Sequence, residues 1–76
     1  MSTPPPEFRA VYDAHFDFVW CSLRRLGVRD ADAFDVSQKV FLIVHAKLSE
    51  FEGRAQLSTW LFGICRRVAS DYRRSA

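Results

Sequence analysis

The stretch from Leu57 to Arg74, LSTWLFGICRRVASDYRR, constrains the fold of this chain more than any other. At about 100° per residue, its apolar residues fall on one stripe of an α-helix, with Trp60 and Cys65 at the two edges. The stripe consists of Leu57, Leu61, Ile64, Val68 and Tyr72. Because such a face has to be covered, the sequence predicts a helix that packs against a core.

The other side of this helix is basic. Its arginines are Arg66, Arg67, Arg73 and Arg74. Residues 54–76 carry five Arg against one Asp, a balance of +4, whereas residues 1–53 carry six Lys or Arg against eight Asp or Glu, a balance of −2. Since phosphates respond to local arginine density, this polarity suits a polyanion on one side and a different partner on the other. An ordinary solvated helix face is the alternative that the pattern leaves open.

Length and hydropathy indicate one small domain. A chain of 76 residues buries only a modest core, and 49% hydrophobic residues are sufficient for one. No apolar run approaches the ~20 residues that span a bilayer, and residues 1–6, MSTPPP, lack the basic and hydrophobic regions of a signal peptide. Cys21 and Cys65 lie in helical apolar patterns, which predicts buried free thiols. We therefore expect a cytoplasmic protein without membrane insertion.

Two further helices precede the basic one. Residues 1–6 predict a disordered lead-in, and residues 7–76 the folded helical domain. The first helix should begin near Glu7, run for about 20 residues and end at Gly27 in a left-handed conformation. Its predicted packing face comprises Phe8, Val11, Tyr12, His15, Val19, Leu23 and Leu26.

The second helix should run from a start capped by Asp30 and Asp32 to about Ser49. Its predicted buried stripe is Ala33, Val36, Val40, Val44 and Leu48, with Phe41 on one edge. The opposite face reads Asp35, Gln38, Lys39, Leu42, His45 and Ala46. A leucine framed by polar residues favours the centre of a small partner-binding patch, and a single exposed leucine is the alternative.

A short loop around Gly53 connects this helix to the last one, whose first turn Ser58 or Thr59 is expected to cap. No segment alternates with period two for long enough to form a strand. The predicted fold is therefore all-α, a compact bundle of three main helices joined by short loops.

Motifs for catalysis or metal binding are lacking. The potential ligands His15, Cys21, His45 and Cys65 are too scattered for the local pair spacing of a zinc site, and the three glycines form no phosphate loop. A nucleophile would also need a base and an orienting acid, and a three-helix chain offers little concavity for a pocket. The sequence predicts a protein that is not an enzyme and needs no cofactor.

The run from Asp32 through Arg74 resembles region 2 of bacterial extracytoplasmic-function (ECF) sigma factors, the promoter-recognising subunits of RNA polymerase. Three motifs carry the resemblance. They are the spacing of Asp35, Gln38 and Phe41, the loop Phe51-Glu52-Gly53, and Thr59-Trp60-Leu61-Phe62 followed by Ile64, Arg66 and Asp71-Tyr72. The resemblance implies a three-helix domain that acts in transcription initiation.

Two contact surfaces follow from the resemblance. In the family, the outward face of the second helix docks on the clamp helices of the largest catalytic subunit of core RNA polymerase. The matching residues are Asp35, Gln38, Lys39, Leu42 and His45. The loop and third helix meet the −10 promoter element and hold a flipped-out base of the non-template strand. The matching residues are Phe51, Gly53, Arg54, Ser58, Trp60, Arg66, Arg67 and Arg74.

This chain departs from the family pattern at four positions. It has Phe34 where the family usually has Glu, Lys39 in place of an acid, Ser58 in place of a basic residue and Arg67 in place of Asn. Promoter preference therefore does not carry over. A complete family member also has a helix-turn-helix domain that reads the −35 element, so we expect this chain to be a fragment or excised domain.

Two alternatives stay open at the level of sequence. The basic helix of a helical protein-interaction domain would bind an acidic regulatory protein instead of DNA, and an anti-sigma protein could mask either surface. Phe51 falls on the same stripe as Val40 and Val44, so it either stacks on a flipped base or closes the core under the loop.

Overall fold

A computed structural model describes residues 7–53 and 55–75. Helix α1 spans Phe8–Arg25, α2 spans Asp30–Lys47 and continues into a 3-10 turn at Leu48–Glu50, and α3 spans Leu57–Ser75. Each long helix packs against the other two, and the described ranges contain no strand. The all-α, three-helix prediction is confirmed. The predicted lead-in at residues 1–6 lies outside the described residues, and none of the described helices is long and apolar enough to cross a membrane.

The corner between α1 and α2 depends on Gly27. Its φ of +99° lies in the left-handed region, as the sequence predicted, and this region favours glycine because other residues clash there. The chain then turns inward, and the Val28 N–H donates to the Leu23 carbonyl at 3.0 Å. Val28 is buried, and the Arg24 guanidinium donates to its carbonyl at 2.8 Å. The corner is thus closed by backbone bonds and by one side chain of α1.

The start of α2 differs from the predicted cap. Arg29 occupies the N-cap position without a side-chain cap bond, so Asp30 and Asp32 lie inside the first turn. Negative charge there still favours the helix N-terminus. The Asp32 carboxylate instead accepts a hydrogen bond from the Tyr72 hydroxyl at 2.5 Å. This bond raises the pKa of Tyr72 and ties the start of α2 to the end of α3.

The core confirms the predicted stripe of α2 in full and those of α1 and α3 in part. All five apolar residues predicted for the buried face of α2 are buried, because a period of 3.6 keeps them on one side. The other helices contribute Val11, Val19, Leu23, Leu61, Cys65, Val68 and Ala69. Of the predicted α3 stripe, Leu57, Ile64 and Tyr72 are half-buried at its margin. The three faces together form one contiguous core.

An aromatic cluster joins α1 to α2. Phe41 is only 2% exposed, and three rings of α1 surround it. The Tyr12 ring centroid lies 4.6 Å from that of Phe41, the Phe16 ring is parallel to it at 6.2 Å, and the Phe8 ring meets it edge-on at 6.3 Å. Phe8, Tyr12, Phe16 and Phe41 are called the aromatic cluster below. They make Phe41 the largest fully enclosed side chain of the described core.

The two cysteines have opposite environments. Cys65 is buried, and its desolvation raises the pKa of the thiol to about 11. Cys21 is exposed, so the prediction that it is buried was wrong. The reason is its register, since Cys21 lies two residues from both Val19 and Leu23 and therefore on the opposite side of α1.

Thiol labelling should separate these two environments. At neutral pH a disulfide reagent is expected to modify Cys21 quickly and Cys65 only after unfolding, because the buried thiol is both inaccessible and protonated. Burial of the neutral thiol should stabilise the fold below the ordinary pKa of 9.0, and this contribution should disappear as the pH rises through about 11. Cys21→Ser is the control. Rapid labelling of the folded Cys21→Ser protein would contradict the burial of Cys65.

Candidate functional site

The outward face of α2 is exposed as predicted. Asp35, Lys39, Leu42 and His45 are exposed and Gln38 is half-buried. Leu42 is the most exposed of the large apolar side chains, at 71%. Its apolar area is therefore available for contact with a partner.

Three of these residues share a groove with α1. The groove is a surface depression of about 410 Å³ lined by Phe8, Tyr12, Gln38, Phe41, Leu42 and His45, and is called the α1–α2 groove below. The Gln38 amide donates to the Tyr12 hydroxyl at 2.8 Å, and the Phe8 ring meets the His45 ring edge-on at 4.9 Å. The sequence pattern put Phe8 and Tyr12 on the packing face of α1, without indicating that they also border this surface.

Lys39 lies apart from the groove. It lines a separate depression of about 320 Å³ between α2 and the end of α3. The other lining residues include Asp71 and Tyr72, so the Lys39 ammonium is on the side of α2 that approaches α3. Asp35 is one helical turn before both Gln38 and Lys39 and is exposed between these two surfaces. The structure thus brings together Gln38, Leu42 and His45 but not Lys39.

The loop before α3 presents an aromatic pair. Phe51 and Trp60 are both half-buried, and their ring centroids are 5.3 Å apart. Together with Glu50, Glu52 and Ala55 they line a depression of about 280 Å³. The indole therefore packs on the loop, and part of the Phe51 ring is open to solvent.

Gly53 supports an open loop, and Arg54 lies outside the described residues. Gly53 has a φ of +76°, in the left-handed region, and a Cβ built there would meet no atom within 4 Å. Its backbone is therefore accessible from solvent.

A second depression continues along α3 from the same indole. Its volume is about 390 Å³, and it lies between the end of α2 and the first half of α3. It is lined by Ile43, Lys47, Thr59, Trp60, Gly63, Ile64 and Arg67. A third depression of about 340 Å³ shares Gly63 and Arg67 with it and adds Arg66 and Arg73. Neighbouring depressions share lining residues, and the three together, from Phe51 through Trp60 and Arg67 to Arg73, are called the α3 track below.

The arginines of α3 differ in their partners. Arg66 and Arg67 are exposed, and neither forms an ion pair with a residue that the structure describes. Arg74 forms an ion pair with Asp71, and Arg73 donates to the Leu26 carbonyl at 3.2 Å. The cationic groups best placed to meet a polyanion are therefore those of Arg66 and Arg67.

Ser58 lies away from these arginines. It is half-buried and seven residues before the buried Cys65, so both residues are on the same side of α3. The helix begins at Leu57, which places Ser58 and Thr59 inside the first turn and corrects the predicted cap. The sequence could not show this because Ser and Thr are favoured both at N-caps and just after them.

Among the residues that the structure describes, no three His, Cys, Asp or Glu side chains are close enough to hold a metal ion. No curated protein and no solved structure matches the chain. The model of the Sigma-70 region 2 family matches residues 11–76, which includes α2, α3 and all but the first turn of α1. The chain therefore belongs to the sigma-70 region 2 family, whose members are non-enzymatic domains that act in transcription initiation by binding core RNA polymerase and promoter DNA.

Proposed function

We propose that this chain is region 2 of an ECF sigma factor, which docks on the clamp helices of core RNA polymerase and captures the melted non-template strand of the −10 element. The observation that carries the proposal is the division of the surface between two helices. An exposed leucine at the α1–α2 groove lies on α2, and two exposed arginines that form no ion pair with a described residue follow an aromatic pair along α3. These two surfaces suit a protein partner and a single strand, respectively.

The α2 surface is suited to a helical protein partner. Leu42 supplies apolar area, and Asp35 supplies a charge one or two turns away. Gln38 and His45 are held by Tyr12 and Phe8, so these side chains lose less conformational entropy on binding than free ones do. Lys39 belongs to the margin of this contact, because it lies toward Asp71.

The α3 track is suited to separated DNA. Phe51 and Trp60 form an aromatic platform on which an unstacked base can stack, and every base has a π-face for such a contact. Arg66 and Arg67 follow along the helix, and Arg66 is at a position from which it can neutralise a phosphate of the bound strand. A protein with these two partners acts in the bacterial cytoplasm, at the nucleoid.

An acidic regulatory protein, including an anti-sigma protein, is the alternative partner of α3. The exposure of Arg66 and Arg67 also favours this partner, since guanidinium groups bind carboxylates as well as phosphates. The two partners can be distinguished by whether binding of DNA depends on the DNA sequence. Binding that distinguishes a promoter strand from a scrambled strand supports DNA, and equal binding of both strands with tight binding of an acidic protein supports the regulator.

The polymerase contact is tested with Leu42→Ala. We expect binding to core RNA polymerase to weaken by about 1–2 kcal/mol, or roughly five- to thirtyfold in Kd, because an exposed apolar anchor is removed. The melting curve should barely change, since the side chain is 71% exposed. Binding is measured by fluorescence anisotropy of the labelled chain. Phe62→Ala on α3 is the matched control, and equal binding by wild type and Leu42→Ala would contradict the assignment.

A further inference from the structure

The depression of the α3 track between Trp60 and Arg67 is lined by both apolar side chains and hydrogen-bond donors. Its volume of about 390 Å³ falls within the range of about 300–1,000 Å³ that is typical of small-ligand sites. Ile43, Ile64 and the Trp60 ring supply apolar walls. Gly63 contributes no side chain, and a Cβ built there would meet no atom within 4 Å. A flat aromatic ligand can therefore approach the backbone of α3 here.

The polar groups of this pocket are hydrogen-bond donors. Lys47 comes from the last turn of α2 and Arg67 from α3, so two cations line the same depression from different helices. Ammonium and guanidinium groups only donate, and the Thr59 hydroxyl donates as well as accepts. No carboxylate or carboxamide side chain lines the depression. A ligand that forms hydrogen bonds with these groups therefore has to present hydrogen-bond acceptors.

We propose that this pocket selects a guanine in the bound single strand, with Arg67 as the residue that determines the preference. Guanine carries two adjacent acceptors, O6 and N7, on one edge, and an arginine fork donates to both. Adenine and cytosine present an amino group on the corresponding edge, and thymine presents one carbonyl beside a methyl group. The proposal rests on the proposed binding of single-stranded promoter DNA and adds the identity of one base.

A backbone phosphate is the other ligand that two cations attract. The apolar walls favour the base, because a phosphate gains nothing from the Ile43, Ile64 and Trp60 surface. The two ligands also predict different results. Removing a cation that binds phosphate weakens all strands equally, whereas removing one that binds guanine weakens only the strand that contains guanine.

The probe is a short fluorescent thymidine strand whose central base is guanine, adenine, cytosine or thymine. We expect the full chain to bind the guanine strand roughly five- to 150-fold more tightly than the other three, which is the range for a bidentate arginine–guanine pair. Replacing guanine with 7-deazaguanine, which lacks the N7 acceptor, should remove most of this preference. Inosine, which keeps O6 and N7, should bind as guanine does.

Variants at position 67 test whether Arg67 determines the guanine preference. Arg67→Ala should bind all four strands alike, and Arg67→Lys should keep the charge but lose most of the guanine preference. Both should fold, since Arg67 is exposed. Arg25→Ala is the control, because Arg25 is an exposed arginine of α1 that lines neither this pocket nor the other depressions of the α3 track. It should retain the preference.

The outcomes separate this proposal from the function on which it rests. Equal affinity of the wild-type chain for all four strands, with a steep salt dependence, would overturn guanine selection and leave DNA binding intact. A guanine preference that survives in Arg67→Ala would overturn the role of Arg67. Failure to bind any strand at low salt would overturn both.

Discussion

Phe41→Ala is expected to lower the free energy of unfolding by about 3–5 kcal/mol, the range for deleting a buried phenylalanine ring. Phe41 is 2% exposed and packs against the rings of Phe8, Tyr12 and Phe16, so its removal deletes most of the contacts that hold this cluster together. Small domains have a total stability of about 5–15 kcal/mol, so this one change removes a large share. The measurement is a urea titration followed by far-ultraviolet circular dichroism.

The next residue along the chain supplies the control for this experiment. Leu42 is 71% exposed, so Leu42→Ala should change the free energy of unfolding by no more than about 0.5 kcal/mol. The pair separates burial from helix propensity, because both variants introduce alanine into the middle of α2. A loss below about 1 kcal/mol for Phe41→Ala would show that the aromatic cluster does not close around its ring.

The fold was predictable from periodicity. The stripe from Ala33 to Leu48 repeats every three or four residues, and only a helix buries all of its members together. The turn at Gly27 was predictable for a different reason, since glycine tolerates a positive φ that other residues avoid. Both features depend on residues close in sequence, so the sequence pattern was sufficient to predict them.

Features that depend on residues distant in sequence were not predictable. The bond from Tyr72 to Asp32 joins positions 40 residues apart, and no local pattern indicates it. Residue type was also misleading, since polar Ser37 is fully buried and its hydroxyl is satisfied by donating to the Ala33 carbonyl one turn earlier. Cys21 is exposed although its neighbours in sequence are apolar.

The exposure of the candidate site residues could be predicted from the sequence, but their grouping in space could not. Periodicity indicated that Leu42 and Arg66 are exposed, and the structure agrees. It did not indicate that Lys39 lies toward α3, nor that Phe8 borders the α1–α2 groove. Those placements depend on how α1 and α3 cross α2, and the sequence of one helix does not contain that information.

Binding of single-stranded promoter DNA should respond differently to Arg66→Ala and Phe51→Ala. Removing one cation that neutralises a phosphate of a single strand flattens the slope of log affinity against log salt by about 0.7. We expect Arg66→Ala to show this change, because Arg66 is exposed and lines the α3 track without an ion pair among the described residues. Arg74→Ala is the matched control and should change the slope less, since Asp71 already neutralises part of that charge.

Phe51→Ala should instead keep the salt slope, because the variant removes a stacking surface for a base and leaves every phosphate-binding cation in place. It should weaken binding of promoter and scrambled strands alike by about 1–3 kcal/mol, because every base can stack on an aromatic ring. Phe51→Tyr retains a ring on Trp60 and should retain most of the affinity. The measurement is a salt titration of a fluorescent −10 non-template strand, with a melting curve for each variant. An Arg66→Ala slope equal to that of the wild type would contradict the DNA surface. If Phe51→Ala is less stable but keeps the wild-type affinity for the strand, the ring only closes the core under the loop.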